Sequence, residues 1–203
     1  MKVSLTDAGK RFNRDWIFRH LTYTFEEGNS YAIVGPNGSG KSTLLQVISG
    51  SMIINEGKCQ WSMNGKSTEE PFQQVSICAP YLEVVEEMTL KEFFLFHQGF
   101  KPFLPGITID KIISIVGLEK AVNKQIRYYS SGMRQRVRLA QAIFSDVPAV
   151  LLDEPCTNLD ATGISLYHQL INDYCKDRLV IVSSNDEVEY RFCKEKINIS
   201  HYK

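Results

Sequence analysis

No apolar run in this chain approaches the length of a membrane span. The longest, such as residues 149–152 and 179–182, fall far short of the roughly 20 residues a helical crossing requires. Charge of one sign is not in excess either. Lys and Arg total 23 and Asp and Glu total 23, so no bulk field draws the protein to nucleic acid or to an anionic membrane face. Cysteine is sparse, and Cys59, Cys78, Cys156, Cys175 and Cys193 are scattered with no close pair. That spacing excludes a disulfide framework or a paired-cysteine redox or metal site, and the thiols are expected to be small buried hydrophobes in a reducing compartment. The four histidines are equally dispersed, which argues against zinc. The N-terminal MKVSLTDAGKRF has no apolar secretion core, so a cytoplasmic location is expected, with any membrane role running through a partner. Internal repeats and low-complexity tracts are absent.

What is present is concentrated at residues 35–43, GPNGSGKST, after the apolar run Tyr31-Ala32-Ile33-Val34. Four free positions separate the first glycine from Gly-Lys-Ser, in the expected strand–loop–helix context. Gly35, Pro36, Asn37, Gly38, Ser39 and Gly40 supply a loop whose backbone N–H groups curl around a polyphosphate. Lys41 is positioned to reach the β- and γ-phosphates, and the Ser42 hydroxyl to ligate Mg²⁺. The helix expected to open at Ser42, continuing through Thr43, turns its positive end toward the same anion.

The pattern along the chain predicts an α/β fold. Short strands are expected at 3–5, 21–25, 31–34 and 59–63, forming an N-terminal β-rich part, with another at 75–78. Helical spacing starts near Thr89, breaks at Pro102, Pro105 and Gly106, and resumes over 109–116. The interval 87–129 therefore reads as a small helical subdomain within a single 1–203 domain. A helix is expected from about Ser131 and another over 161–174, flanking the continuous apolar strands 149–152 and 179–182. Uninterrupted apolar strands suit a parallel sheet covered on both faces. Arg134, Arg136 and Arg138 lie at i, i+2 and i+4, which spreads them around their helix; solvated helix faces are expected rather than a nucleic-acid stripe.

The strand Val150-Leu151-Leu152 ends in Asp153-Glu154, two carboxylates at the carboxyl end of a parallel strand, where open α/β sheets bind ligands. Asp153 is expected to hold Mg²⁺ with Ser42, and Glu154 to orient or deprotonate an attacking water.

With these motifs, the chain resembles the nucleotide-binding domain of the ATP-binding cassette superfamily. Ser130-Ser131-Gly132-Met133-Arg134-Gln135-Arg136 is similar to the family signature, and Leu159-Asp160 to its D-loop. The motifs span 35–160 in the family order, and the flanks fit the same domain. The resemblance implies a P-loop NTPase with a mostly parallel core sheet, an N-terminal antiparallel β-subdomain and an inserted helical subdomain. It implies Mg²⁺-dependent ATP hydrolysis and two ATP molecules sandwiched head to tail between two such domains. Ser130, Ser131 and Gly132 of one would touch the γ-phosphate held by the other, with Asp160 communicating between the sites. Phe12 matches the aromatic residue that stacks on adenine.

Four positions depart from the family: Ser131 and Met133 replace the commonest Gly and Gln of the signature, and two further changes fall at the expected reacting centre. Tyr81 stands where a glutamine usually senses Mg²⁺ and water, and a phenol is a poorer ligand than an amide carbonyl. Asn185 stands where a histidine commonly contacts the γ-phosphate; it donates a hydrogen bond but carries no titrating proton. Slow or partner-dependent hydrolysis is expected. Three roles stay open on the sequence: the energy-coupling subunit of a separately encoded permease, with export weakly favoured over import; a soluble ATP-driven clamp in macromolecular assembly; or a weakly hydrolysing regulatory module. A transporter subunit would sit at the inner membrane face, with a second copy as the expected partner. Phe93, Phe94, Phe96, Phe100 and Phe103 form the expected docking surface or the subdomain's own core. Because the sequence stops soon after Ile199, no large regulatory extension is expected.

Overall fold

A computed structural model describes residues 1–203 and divides them into two compact units. The first comprises residues 1–77, 148–154 and 177–203. Its antiparallel sheet contains β1 (Lys2–Phe12), β2 (Asp15–Glu26), β4 (Glu56–Met63) and β5 (Lys66–Thr68) in the order β2-β1-β4-β5. A second sheet contains β3 (Ser30–Val34), β6 (Val75–Cys78), β7 (Ala149–Asp153), β8 (Leu179–Ser183) and β9 (Glu195–Asn198) in the order β6-β7-β8-β3-β9. The pairs β7–β8, β8–β3 and β3–β9 are parallel. Every residue of β7 and β8 is buried, which explains their unbroken apolar sequences. Each fully buried aliphatic side chain there contributes about 1.5–3 kcal/mol of transfer free energy. The helix α1 (Lys41–Ile48) adds Leu44, Leu45, Val47 and Ile48 to the same core, with Phe18, Leu21 and Phe25 of the antiparallel sheet. The helix starts at Lys41, one residue before the predicted Ser42, and Gly40 is its N-cap.

β1 and β2 run well beyond the predicted strands at 3–5 and 21–25. Polar residues interrupt alternation because the hairpin contains register shifts, and Asp7 and His20 adopt φ of 48° and 56° at these irregularities. Each bulge moves subsequent side chains to the other face, hiding the strand from a strict period-two reading.

The second unit comprises residues 78–147 and 155–176, and contains the predicted 87–129 interval. Its helices are α2 (Leu90–Gln98), α3 (Ile109–Ile115), α4 (Ser131–Phe144) and α5 (Ala161–Tyr174). Thr89 and Glu92 form a reciprocal capping box on α2, and Thr108 caps α3. The phenylalanines divide by role: Phe93, Phe94 and Phe103 are core, whereas Phe96 and Phe100 are exposed and meet edge-on.

His97 on α2 is held in a closed polar circuit. Gln141 Nε2–H donates to His97 Nδ1 at 3.2 Å, His97 Nε2–H donates to Ser145 Oγ at 2.9 Å, and Ser145 donates to the Gln141 carbonyl at 2.6 Å. This pattern requires neutral imidazole. Burial first, then nearby Lys101, lowers its pKa to about 4. The unfolded histidine titrates near 6.5, so the unfolded chain binds more protons between these limits and stability falls as pH drops from about 6.5 to about 4. Allowing for partial solvent screening, the expected loss is about 1–2 kcal/mol. Urea unfolding at pH 7.5 and 5.0 should show a smaller pH difference for His97→Gln than for the unsubstituted chain; equal differences would contradict this coupling.

Candidate functional site

In the first unit, β3 delivers the chain into the phosphate loop and α1 leaves it. A pocket of about 240 Å³ is lined by Ile17, Asn37, Gly38, Gly40, Lys41, Ser42, Thr43 and Glu154. Lys41 is buried, and its ammonium donates to the carbonyls of Gly35 at 2.9 Å and Pro36 at 3.3 Å. Ser39 N–H closes the loop onto the Pro36 carbonyl at 3.1 Å. The loop therefore bends around its own lysine, concentrating positive charge where the helix N-terminus adds its dipole.

Strand β7 places Asp153 and Glu154 in different environments. Asp153 is 2% exposed, and its Oδ1 has no hydrogen-bond partner. Glu154 is half-buried and adopts φ of 45°, an uncommon conformation for a residue with a β-carbon. Its N–H is tied to the Ser183 carbonyl at 2.9 Å, fixing the turn at which Glu154 lines the pocket. Asn185 follows β8, and its Nδ2 donates to Asn37 Oδ1 at 3.1 Å. The sequence singled out both Asn185 and the loop residue Asn37, but not the bond between them.

The donor set fits a divalent cation. A buried carboxylate oxygen without a protein partner is costly unless something else satisfies it, and Asp153 with the Ser42 hydroxyl supplies the hard oxygen donors that Mg²⁺ prefers. Ile17 is a pocket residue that the sequence reading missed. It is an ordinary apolar residue within β2, and only its close approach to Gly40 distinguishes it. Phe12 ends β1 and is exposed, with the Lys10 ammonium 5.1 Å from its ring centroid.

The second unit holds the signature-like segment at the start of α4. Ser130 is the N-cap and accepts from Met133 N–H at 3.2 Å. Ser130, Ser131 and Gly132 line a groove of about 580 Å³ with Lys120, Arg136, Asn158 and Asp160. A Cβ on Gly132 would lie 2.9 Å from the Asn158 carbonyl, so the two backbones approach too closely for a larger residue. Asp160 caps α5 through Gly163 N–H at 2.8 Å and also accepts from Thr162 Oγ1. These bonds hold its carboxyl below the usual range, with Arg136 adding a smaller effect.

The arginines correct the expectation of solvated helix faces. All three are partly buried. Arg136 donates to the Val116 carbonyl at 3.5 Å, Arg138 to the Leu82 carbonyl at 3.0 Å, and Arg134 lies 3.8 Å from Glu86. Because α4 is packed on several sides, the i, i+2, i+4 spread gives each guanidinium a different neighbouring segment. Gln135, also buried on α4, donates to the Pro155 carbonyl at 2.7 Å. Tyr81 is exposed in the loop after β6.

The ABC transporter family model matches residues 18–157. The chain is 30% identical over 191 residues to the uncharacterized ABC transporter ATP-binding protein YhcH of Bacillus subtilis, covering 90% of this chain but spanning only 61% of YhcH. It is 28% identical to the cytochrome c biogenesis ATP-binding export protein CcmA of Agrobacterium fabrum, covering 86% and 84% of the two chains. In fold it is similar to the dimeric bacterial ABC transporter cassette MJ0796, with a TM-score of 0.81 at 21% identity over 97% and 94% of the chains. No helix is long and apolar enough to cross a membrane. With the phosphate loop, the Asp153-Glu154 strand end and the signature-like helix start in place, this chain belongs to the ABC transporter family as one of its ATP-binding cassettes.

Proposed function

We propose that this chain is the Mg²⁺-dependent ATPase subunit of a membrane transporter whose permease is a separate polypeptide. The observation that carries hydrolysis is the presence of Glu154 in the same pocket as Lys41 and Ser42. The phosphate loop, including Gly35, Gly38, Gly40 and Thr43, binds the triphosphate, while Lys41 balances charge on its terminal phosphates. Ser42 and Asp153 would hold Mg²⁺, which neutralises phosphate charge when bound. Glu154 orients the attacking water and accepts its proton, while the Asn185 amide donates toward the γ-phosphate region from its place beside Asn37. Phe12 is the proposed adenine platform.

Each complete site requires a second copy. Ser130, Ser131 and Gly132 present N–H groups at the start of a 14-residue helix, a second anion-binding element besides the phosphate loop. In the proposed head-to-tail pair, that element closes on nucleotide held by the other copy, and Asp160 communicates between sites. The permease docks on the exposed Leu95, Phe96 and Phe100 surface, placing the subunit at the cytoplasmic membrane face. Export is supported by the form of the Gly132–Arg136 segment and the similarity to the export protein CcmA. Co-expression with a neighbouring-gene product containing several spans of about 20 apolar residues tests the assignment. A detergent-stable complex with ATP turnover is expected; a complex only with a soluble assembly factor would favour the ATP-driven clamp instead.

Tyr81 and Asn185 support slow turnover, and ATP-dependent pairing without turnover beside the partner would favour the regulatory module. Asn185→His should raise turnover in the complex about tenfold by adding a titratable donor. Its pH profile should acquire an inflection at about 6.5. An unchanged rate and profile would remove Asn185 from the reacting centre.

A further inference from the structure

The C-terminal turn approaches the phosphate loop in a way that the motif chemistry does not require. β9 pairs in parallel with β3, with Asn198 opposite Val34, so Ile199 and Gly35 leave neighbouring strands together. Asn198 Oδ1 then accepts from Ser200 N–H at 3.0 Å, starting the 3₁₀ turn Ile199–Tyr202. Ile199 is completely buried. A Cβ built on Gly35 would lie 3.1 Å from Ile199 Cγ2, and one built on Gly40 would lie 3.6 Å from Ile199 Cδ1. One branched side chain therefore meets both ends of the loop. From β2, Ile17 confines Gly40 still more closely, at 2.3 Å from its hypothetical Cβ. Gly40 adopts φ of 104°, a conformation that L side chains rarely occupy.

We propose that Ile199 is a positioning residue of the nucleotide site, the apolar floor that holds Gly35 and Gly40 at their binding separation. Glycine has the greatest backbone freedom and no side chain with which to anchor itself, so packing from beneath must supply the restraint. Removing that floor leaves the loop's donors chemically intact but less ordered, and ATP must then order them on binding. The C-terminal turn thus becomes part of the binding machinery without touching nucleotide. This inference rests on the ATP-binding reading of the pocket.

Calorimetric titration of the full chain with Mg²⁺ and ATP, well below its melting temperature, tests the proposal. Ile199→Ala should weaken binding about tenfold. Ile199→Val keeps a methyl toward Gly35 but loses the Cδ1 facing Gly40, and should give a smaller loss. Val3→Ala removes a comparable buried side chain from the same core and should leave affinity unchanged. By reciprocity, ATP should slow amide exchange at residues 199–202 in the unsubstituted chain. Equal affinity for Ile199→Ala and the unsubstituted chain, or an equal loss in Val3→Ala, overturns the proposal. If Ile199→Ala does not fold, unchanged affinity in Ile199→Val together with no ATP-dependent protection at 199–202 overturns it. Failure of the unsubstituted chain to bind ATP, or unimpaired binding by Lys41→Ala, would instead overturn the ATP-binding reading.

Discussion

Glu154→Gln should reduce ATP turnover in the partner complex by about 10²–10⁴-fold, the usual contribution of a positioned general base. Binding of ATP should change no more than a few-fold. The substitution keeps side-chain volume and a hydrogen-bonding oxygen but removes the group that accepts a proton. Stability should also be preserved, since the uncommon φ of 45° and the N–H bond to the Ser183 carbonyl belong to the backbone. A fall in turnover with retained binding assigns the loss to the chemical step. Parallel losses in binding and rate would instead place Glu154 in ground-state recognition. Unchanged turnover would remove it from catalysis altogether. Accumulation of ATP-bound pairs in the variant provides a second readout, because the proposed head-to-tail assembly depends on nucleotide persisting at the interface.

The site was legible where chemistry demands unusual residues at fixed spacing. A glycine-rich loop ending in Lys41-Ser42, a carboxylate pair closing the apolar β7, and a capped helix beginning after Ser130 all leave signals in composition as well as position. Ile17 and Ile199 leave no such signal. Their apolar character is explained by core burial alone, and their approach to Gly40 depends on bringing residues from distant parts of the chain together. The long β1–β2 hairpin was obscured by bulges rather than by weak strand formation. For the arginines on α4, charge and spacing predicted direction around the helix but not what each direction meets; Val116 and Leu82 carbonyls await two of them. Asn185 illustrates the intermediate case. Its departure from the family histidine was visible, whereas its bond to Asn37 required both segments to be placed.

Lys41→Ala should weaken ATP binding by about 10²–10³-fold, because it removes a buried cation whose proposed counter-charge is the terminal phosphate. Loss of the ammonium also takes away the donor that the Gly35 carbonyl receives at 2.9 Å and one of the two on the Pro36 carbonyl, at 3.3 Å, where Ser39 N–H remains. Water can replace some of that bonding, so the accompanying stability loss should be about 1–2 kcal/mol rather than global unfolding. Titration of ATP alongside chemical unfolding separates the two effects. Lys41→Arg should not restore binding, despite its charge. The guanidinium is planar and wider than an ammonium, whereas Lys41 is 5% exposed and threads between two loop carbonyls. Full rescue by arginine would show that the field at the loop matters more than the point donor. Failure of both variants to bind, with folding retained, would place the decisive contact at the compact Lys41 ammonium and tie the strength of ATP binding to loop geometry.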